Sequence, residues 1–240
     1  MKLLMDVGNT RLKWALTDGT DWEWGVTDYG DGPGGWRYQW TALPTPLSIH
    51  GLSVAPDRVP PLEAFCVEAW GLRPHWYQAQ AEAFGVRNPY EPPEALGADR
   101  YAALVAVRHR AHGPACVVTC GTAITIDALS ADGVFRGGVI MPGLRAAVAG
   151  LAAKVPHLPT PRFDRNLEGM ERSTARALGA GLLLGTAGAI DRILALQAAA
   201  LGGCKVFLGG GDSDVLRAHL RTPIQVERNL PLQGLALMIR

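Results

Sequence analysis

The sequence predicts an α/β protein made of two related halves, and three observations carry this. Apolar residues alternate between strand spacing and helical spacing along most of the chain. The pattern begins again after Gly113-Pro114. Shifted by 113 positions, Asp6-Val7-Gly8-Asn9-Thr10 falls on Thr119-Cys120-Gly121-Thr122-Ala123. In each copy an apolar strand, a turn around a glycine and a second strand lead to an Asp-Gly turn, Asp18-Gly19 and Asp132-Gly133. Two unrelated hairpins are the plainer alternative. Two halves, 1–112 and 113–240, with a cleft between them account for more of the pattern.

In order, residues 2–6 read as a buried strand, Gly8-Asn9 as a turn and 11–16 as its hairpin partner. A strand follows near 22–26, a loop over 28–35, then strands at 36–41 and 49–54. Residues 60–70 form an amphipathic helix opened by proline. A short strand at 75–77 and a proline-rich loop at 88–97 precede a helix at 101–110, with Asp99 as its N-cap. The second half repeats the hairpin with strands at 115–119, 123–129 and 134–141. Helices follow at 143–154 and at about 173–201, the latter weakened by its glycines. A strand at 205–208, the Gly209-Gly210-Gly211 turn, and helices at 213–220 and 230–240 complete the chain.

Composition narrows the function. Of 240 residues, 48% are hydrophobic and 19% charged, enough for a core and too apolar for general disorder. The net charge of +1 supplies no field for gathering nucleic acid or an anionic membrane. Asp6 interrupts the N-terminal apolar run before a signal-peptide core forms. The longest uncharged helical stretch, 177–190, is short of the ~20 residues that cross a bilayer. Cys66, Cys116, Cys120 and Cys204 include no CxxC pair; Cys116 and Cys120 fall on one strand face as core residues of a reducing cytosol. Of seven tryptophans, Trp14, Trp22, Trp24, Trp36 and Trp40 lie in the first forty residues and serve core packing or subunit contact.

The glycine turns have a chemical use. Backbone N–H groups there point outward together and form a nest for anionic oxygens. Gly8 admits close approach of a phosphate, Asn9, Thr10 and Thr122 add side-chain donors, and Lys13 a point charge. Asp6, at the strand end, is placed to hold Mg²⁺ directly or through water. No Gly-Lys-[Ser/Thr] occurs, so a P-loop is absent. Gly209-Gly210-Gly211 suits an adenine or ribose, or is a strand-to-helix turn without a ligand.

The ordered set Met5-Asp6-Val7-Gly8-Asn9-Thr10, Gly97-Ala98-Asp99-Arg100, Gly121-Thr122-Ala123 with Thr125 and Asp127, Gly137-Gly138 before Met141-Pro142-Gly143, and Gly209-Gly210-Gly211 resembles type III pantothenate kinase. The resemblance runs from residue 5 to the C-terminus and thins between 19 and 83. It implies two ribonuclease-H-like domains of the actin-like ATPase kind. It also implies ATP-dependent phosphorylation of pantothenate to 4'-phosphopantothenate in coenzyme A synthesis, in a cytoplasmic homodimer. Another small-alcohol kinase of the same superfamily, or a non-catalytic regulatory relative, are the alternatives.

By the same resemblance Asp99 is the proton acceptor. Asp6, Val7, Gly8, Asn9, Thr10, Arg11, Leu12 and Lys13 form the first phosphate loop, and Thr122 belongs to the second. Tyr90, Gly97, Ala98, Asp99, Arg100 and Thr174 contact pantothenate, Arg100 through its carboxylate. One position departs: Thr119 stands where the family commonly has an acidic residue associated with an activating K⁺ or NH₄⁺. A hydroxyl keeps an oxygen ligand there and loses the charge.

Overall fold

The structure is a computed structural model that describes residues 1–29, 35–164, 166–167 and 169–239. It divides into two compact units, Met1–Arg110 with Asn229–Arg240, and Ala111–Arg228. Most of the loop expected over 28–35 lies outside the described residues.

The first unit begins with β1 (Lys2–Val7), β2 (Arg11–Thr17) and β3 (Trp22–Asp28), an antiparallel meander. After α1 (Trp36–Thr41), strand β4 (Ser48–Ser53) pairs parallel to β1. Helix α2 (Val59–Trp70) leads to β5 (His75–Tyr77), parallel to β4, and the sheet order is β3-β2-β1-β4-β5. A two-stranded ribbon, β6 (Glu82–Ala83) and β7 (Val86–Arg87), precedes α3 (Ala98–Arg110).

Alternate residues of β1, Leu3, Met5 and Val7, join Trp14, Ile49, Leu62, Phe65 and Trp40 in one core. Two glycines make room for its indoles. A Cβ on Gly25, opposite Trp14, or on Gly51, opposite Trp76, would overlap the facing ring. Residues 36–41, expected as a strand, are helical. Trp36 and Trp40 lie four apart on one helical face and both pack against Phe65, with ring centroids 5.4 and 5.9 Å away. Asp99, expected as an N-cap, sits inside the first turn of α3, whose Tyr101 N–H already donates to the Gly97 carbonyl.

The second unit repeats the plan. Strands β8 (Ala115–Cys120), β9 (Ala123–Leu129) and β10 (Phe135–Pro142) form an antiparallel meander. Helices α4 (Leu144–Lys154) and α5 (Thr174–Leu201) lead to β11 (Lys205–Gly209), parallel to β8. Then α6 (Ser213–Arg217) and β12 (Gln225–Val226) give the order β10-β9-β8-β11-β12, the same as in the first unit. Both sheets therefore have the ribonuclease-H-like arrangement.

Helix α5 is 28 residues long and unbroken despite its glycines, capped by the Ser173 side chain and by a left-handed Gly202. By length and composition it could cross a membrane, although its uncharged stretch is short. Its inward stripe, Leu183, Ala187, Ile190 and Leu194, is buried, and Leu183, Ile190 and Leu194 lie in the core with Val118, Ile124 and Ile126.

The last helix, α7 (Leu230–Met238), belongs to the first unit, whereas the sequence division at 112/113 left it in the second. It packs on α3, β1 and β4. Gly234 explains how closely it packs, since a Cβ there would run into the backbone carbonyl of Ala102. Gly234→Ala is expected to lower the melting temperature by about 3–10 °C, as overpacking by ~1–3 kcal/mol does in a chain of this size. Gly188→Ala, on an α5 face with open space, should leave it unchanged or raise it. Thermal melts of the two variants check this.

Candidate active site

The first unit gathers a cluster of charged groups at the ends of its strands. Asp6 on β1 faces Lys13 on β2 in register, and Lys13 Nζ lies 3.2 Å from Asp6 Oδ2. The Asp6 side chain is buried and that of Lys13 half-buried, so the pair is shielded from water. The Asp6 charge raises the Lys13 ammonium above its usual value and keeps it protonated. Between them the turn is closed by the Gly8 N–H donating to the Arg11 carbonyl at 3.1 Å. Asn9 and Thr10 stand exposed at its tip.

Asp99 belongs to the same cluster. Burial and then the neighbouring Asp6 charge push its carboxyl up to about 6, against the opposing pull of the Arg100 N–H, Lys13 and Arg100. Its Oδ1 accepts from the Arg100 N–H at 2.8 Å, which fixes the carboxylate at the start of α3. Gly97 leaves the carboxylate room, because a Cβ there would lie 2.8 Å from Asp99 Oδ1. Arg100 is buried, not a surface arginine.

Tyr90 is half-buried on the loop before α3. That loop is organised by the buried Asn88, a residue that sequence alone does not single out. Its side chain donates to the Pro93 carbonyl at 3.0 Å and accepts from the Tyr90 N–H at 3.1 Å. An Asn directly before a proline, Asn88-Pro89, is the signal that could have found it. Val7 and Leu12 point into the core and can meet a ligand only through their backbone. Arg11 is paired with Asp28 at 2.9 Å.

The second unit has its own turn cluster. Gly121 N–H donates to the Ala123 carbonyl, and Gly143 N–H to the Thr122 carbonyl, both at 3.0 Å. Gly143 opens α4, so that helix's first N–H groups start at the Gly121-Thr122 turn. A Cβ on Gly143 would collide with the Gly121 carbonyl, and one on Gly210, whose φ is +97°, with the backbone of Cys120. The Asp212 N–H donates to the Cys120 carbonyl at 3.2 Å and ties the glycine turn after β11 to the same place. Such glycine-lined backbone suits phosphate oxygens.

Thr119 faces Thr125 across β8 and β9, as Asp6 faces Lys13 in the first unit. A neutral hydroxyl pair thus replaces an ion pair. Thr125 Oγ1 is buried and has no hydrogen-bond partner among the described residues. Asp127 is buried on the same strand. Thr174 is exposed in the first turn of α5, where Ser173 supplies the cap. Among the described residues no three His, Cys, Asp or Glu side chains group as a protein-only metal site.

The family model for type III pantothenate kinase matches residues 2–196. A type III pantothenate kinase of Aromatoleum aromaticum is 38% identical over 100% of this chain and 98% of its own length. One of Nitrosospira multiformis is 38% identical over 99% and 90%. Among solved structures, a Campylobacter jejuni protein described as a Baf family transcriptional activator aligns with a TM-score of 0.63 and 21% identity, over 99% of this chain and 96% of its own. The activator of the 2-hydroxyisocaproyl-CoA dehydratase from Clostridium difficile, with bound ADPNP, aligns with a TM-score of 0.56 and 12% identity, over 99% and 93%. At those identities the likeness is one of fold. The sequence relatives go further: matched across nearly its whole length, the chain belongs to the type III pantothenate kinase family.

Proposed function

We infer that the chain transfers the γ-phosphoryl group of ATP to the hydroxyl of pantothenate, giving 4'-phosphopantothenate in coenzyme A biosynthesis, with Asp99 as the proton acceptor. One observation carries the role of Asp99: a carboxylate fixed at a helix start, raised to about 6 by burial and by Asp6, in the electrostatic field of Lys13 and Arg100. A base of that strength is ionised at neutral pH yet holds a proton better than an ordinary aspartate. Phosphoryl transfer needs an aligned alcohol, a proton acceptor and neutralisation of the phosphate charge.

The turn from Asp6 to Lys13 supplies N–H groups and an ammonium for the phosphates, and the Gly121-Thr122 turn with the start of α4 supplies a second set. Mg²⁺, when bound with ATP, neutralises phosphate charge, and Asp6 is the carboxylate suited to hold it through water. Buried Arg100 binds the pantothenate carboxylate by its planar fork. Tyr90, Gly97, Ala98 and Thr174 complete the substrate contacts by family resemblance. A coupled kinase assay with pantothenate and other small alcohols tests the reading. Turnover is expected with pantothenate; turnover of another alcohol alone would overturn it.

A cytoplasmic homodimer without nucleic-acid or membrane partners fits the balanced charge and the buried stripe of α5. Exposed Ile140, Leu151, Val155 and Leu184 in the second unit support a subunit contact. For the monovalent cation, the orphaned Thr125 hydroxyl beside Thr119 suits K⁺ or NH₄⁺ as a neutral oxygen ligand, without a carboxylate's attraction. Activity is therefore expected to rise with KCl at constant ionic strength, held by choline chloride. Thr119→Asp should lower the K⁺ concentration for half-activation. A rate that ignores K⁺ would mean the cation role is lost.

A further inference from the structure

Two cysteines face each other at the base of the second sheet. Cys116 lies on β8, opposite Val206 of β11, and Cys204 immediately precedes β11. Their Sγ atoms are 3.3 Å apart, within sulfur hydrogen-bond distance. Cys116 is fully buried, whereas Cys204 is half-buried and open to small reagents from solvent. Cys66 and Cys120 are buried too, and neither has a second sulfur at such a distance among the described residues. The two strands joined here run on to the turns at Gly121-Thr122 and Gly209-Gly210-Gly211.

We propose that Cys116 and Cys204 are a redox-sensitive dithiol, closed to an intrachain disulfide by a low-molecular-weight disulfide such as glutathione disulfide and reopened by thiols. The Cys204 thiolate attacks one glutathione sulfur, forming a mixed disulfide and releasing one glutathione thiolate. Cys116 then loses its proton and attacks the Cys204 sulfur, releasing the second glutathione. Two thiols are oxidised and one glutathione disulfide is reduced to two glutathiones. The sulfurs must close from 3.3 Å to the bond length of about 2.05 Å, a small movement for one side chain on β8 and one on the residue just before β11. Burial raises the Cys116 thiol far above its usual value, so the second step is the slow one and quickens with pH.

The bond would link positions 88 residues apart and tie β8 to β11 at the end away from the site turns. It should therefore steady the second unit. The test incubates the full chain in glutathione redox mixtures, followed by peptide mass mapping and thermal melting. The expected results are a loss of about 2 Da, a peptide joining Cys116 to Cys204, and a melting temperature raised by roughly 5–10 °C, all reversed by dithiothreitol. Cys204→Ser, at the half-buried position, should abolish all three, and Cys120→Ser should retain them. Glutathione remaining on Cys204 with Cys116 still reduced between about pH 7 and 9, or no reaction at either cysteine, would overturn the proposal.

Discussion

Asp99→Asn is expected to lower kcat by roughly 10²-fold or more while making the protein more stable at pH 8. The two effects share one cause. The carboxyl titrates near 3.8 in the unfolded chain and near 6 in the folded one. Between those values the folded state binds more protons, so stability is lost as pH rises through 6. Above that, the ionised carboxylate costs the fold on the order of 2–3 kcal/mol. Asparagine carries no charge to bury and its amide oxygen can still accept from the Arg100 N–H. The variant should melt about 5 °C or more above the wild type at pH 8, with the gain vanishing below about pH 4. A merely structural aspartate would give the reverse, a variant that is less stable. Melting curves at the two pH values, beside turnover measured at pH 8, separate these cases.

Gly143→Val is expected to raise the KM for ATP at least about tenfold and to lower the melting temperature by roughly 3–10 °C. The backbone at Gly143, with φ −72° and ψ 168°, is open to any residue, so the penalty is one of space. The new side chain would meet the Gly121 and Thr122 carbonyls and push the turn off the start of α4. The nucleotide should feel this and pantothenate much less. Gly150→Ala, further along α4 with nothing near it, is the control and should behave as wild type. Steady-state kinetics with each substrate varied in turn checks both. An unchanged KM for ATP in Gly143→Val would place the phosphates elsewhere.

The sheets were legible because their central strands are short apolar runs bounded by turn residues and because the chain repeats itself. Leu3, Met5 and Val7, and Cys116, Val118 and Cys120, announce their faces without tertiary information. Residues 36–41 were misread because Trp36, Tyr38 and Trp40 also alternate, and only packing on Phe65 decides for a helix. The two-residue strands β6, β7 and β12 carry too few side chains to show a period. The return of α7 to the first unit rests on Gly234 meeting Ala102, a contact between distant residues that local pattern does not express.

The site was legible in part. Asp6, Gly8 and Lys13 could be read as an anion-binding hairpin from their own chemistry. Asp99 could not: its residues alone suggest a cap, and its importance came from the resemblance. The structure adds what a sequence does not hold, a half-buried carboxylate held by the Arg100 N–H and within the electrostatic reach of Asp6 and Lys13. The packing of Gly143 against the Gly121-Thr122 turn and the role of Asn88 under Tyr90 were likewise invisible, since both depend on backbone groups finding one another in space.

The central claim is that Asp99 accepts the proton with an affinity set by burial and by Asp6. The pH dependence of kcat/KM for pantothenate tests it most directly, because that ratio reports the base in the free enzyme. The rate should fall on acidification with an apparent pKa of about 6, and the limb should move to lower pH in Asp6→Asn, where the neighbouring charge is gone. A profile that stays level down to the ordinary carboxylate range near 3.8, or a limb that Asp6→Asn leaves in place, would contradict it.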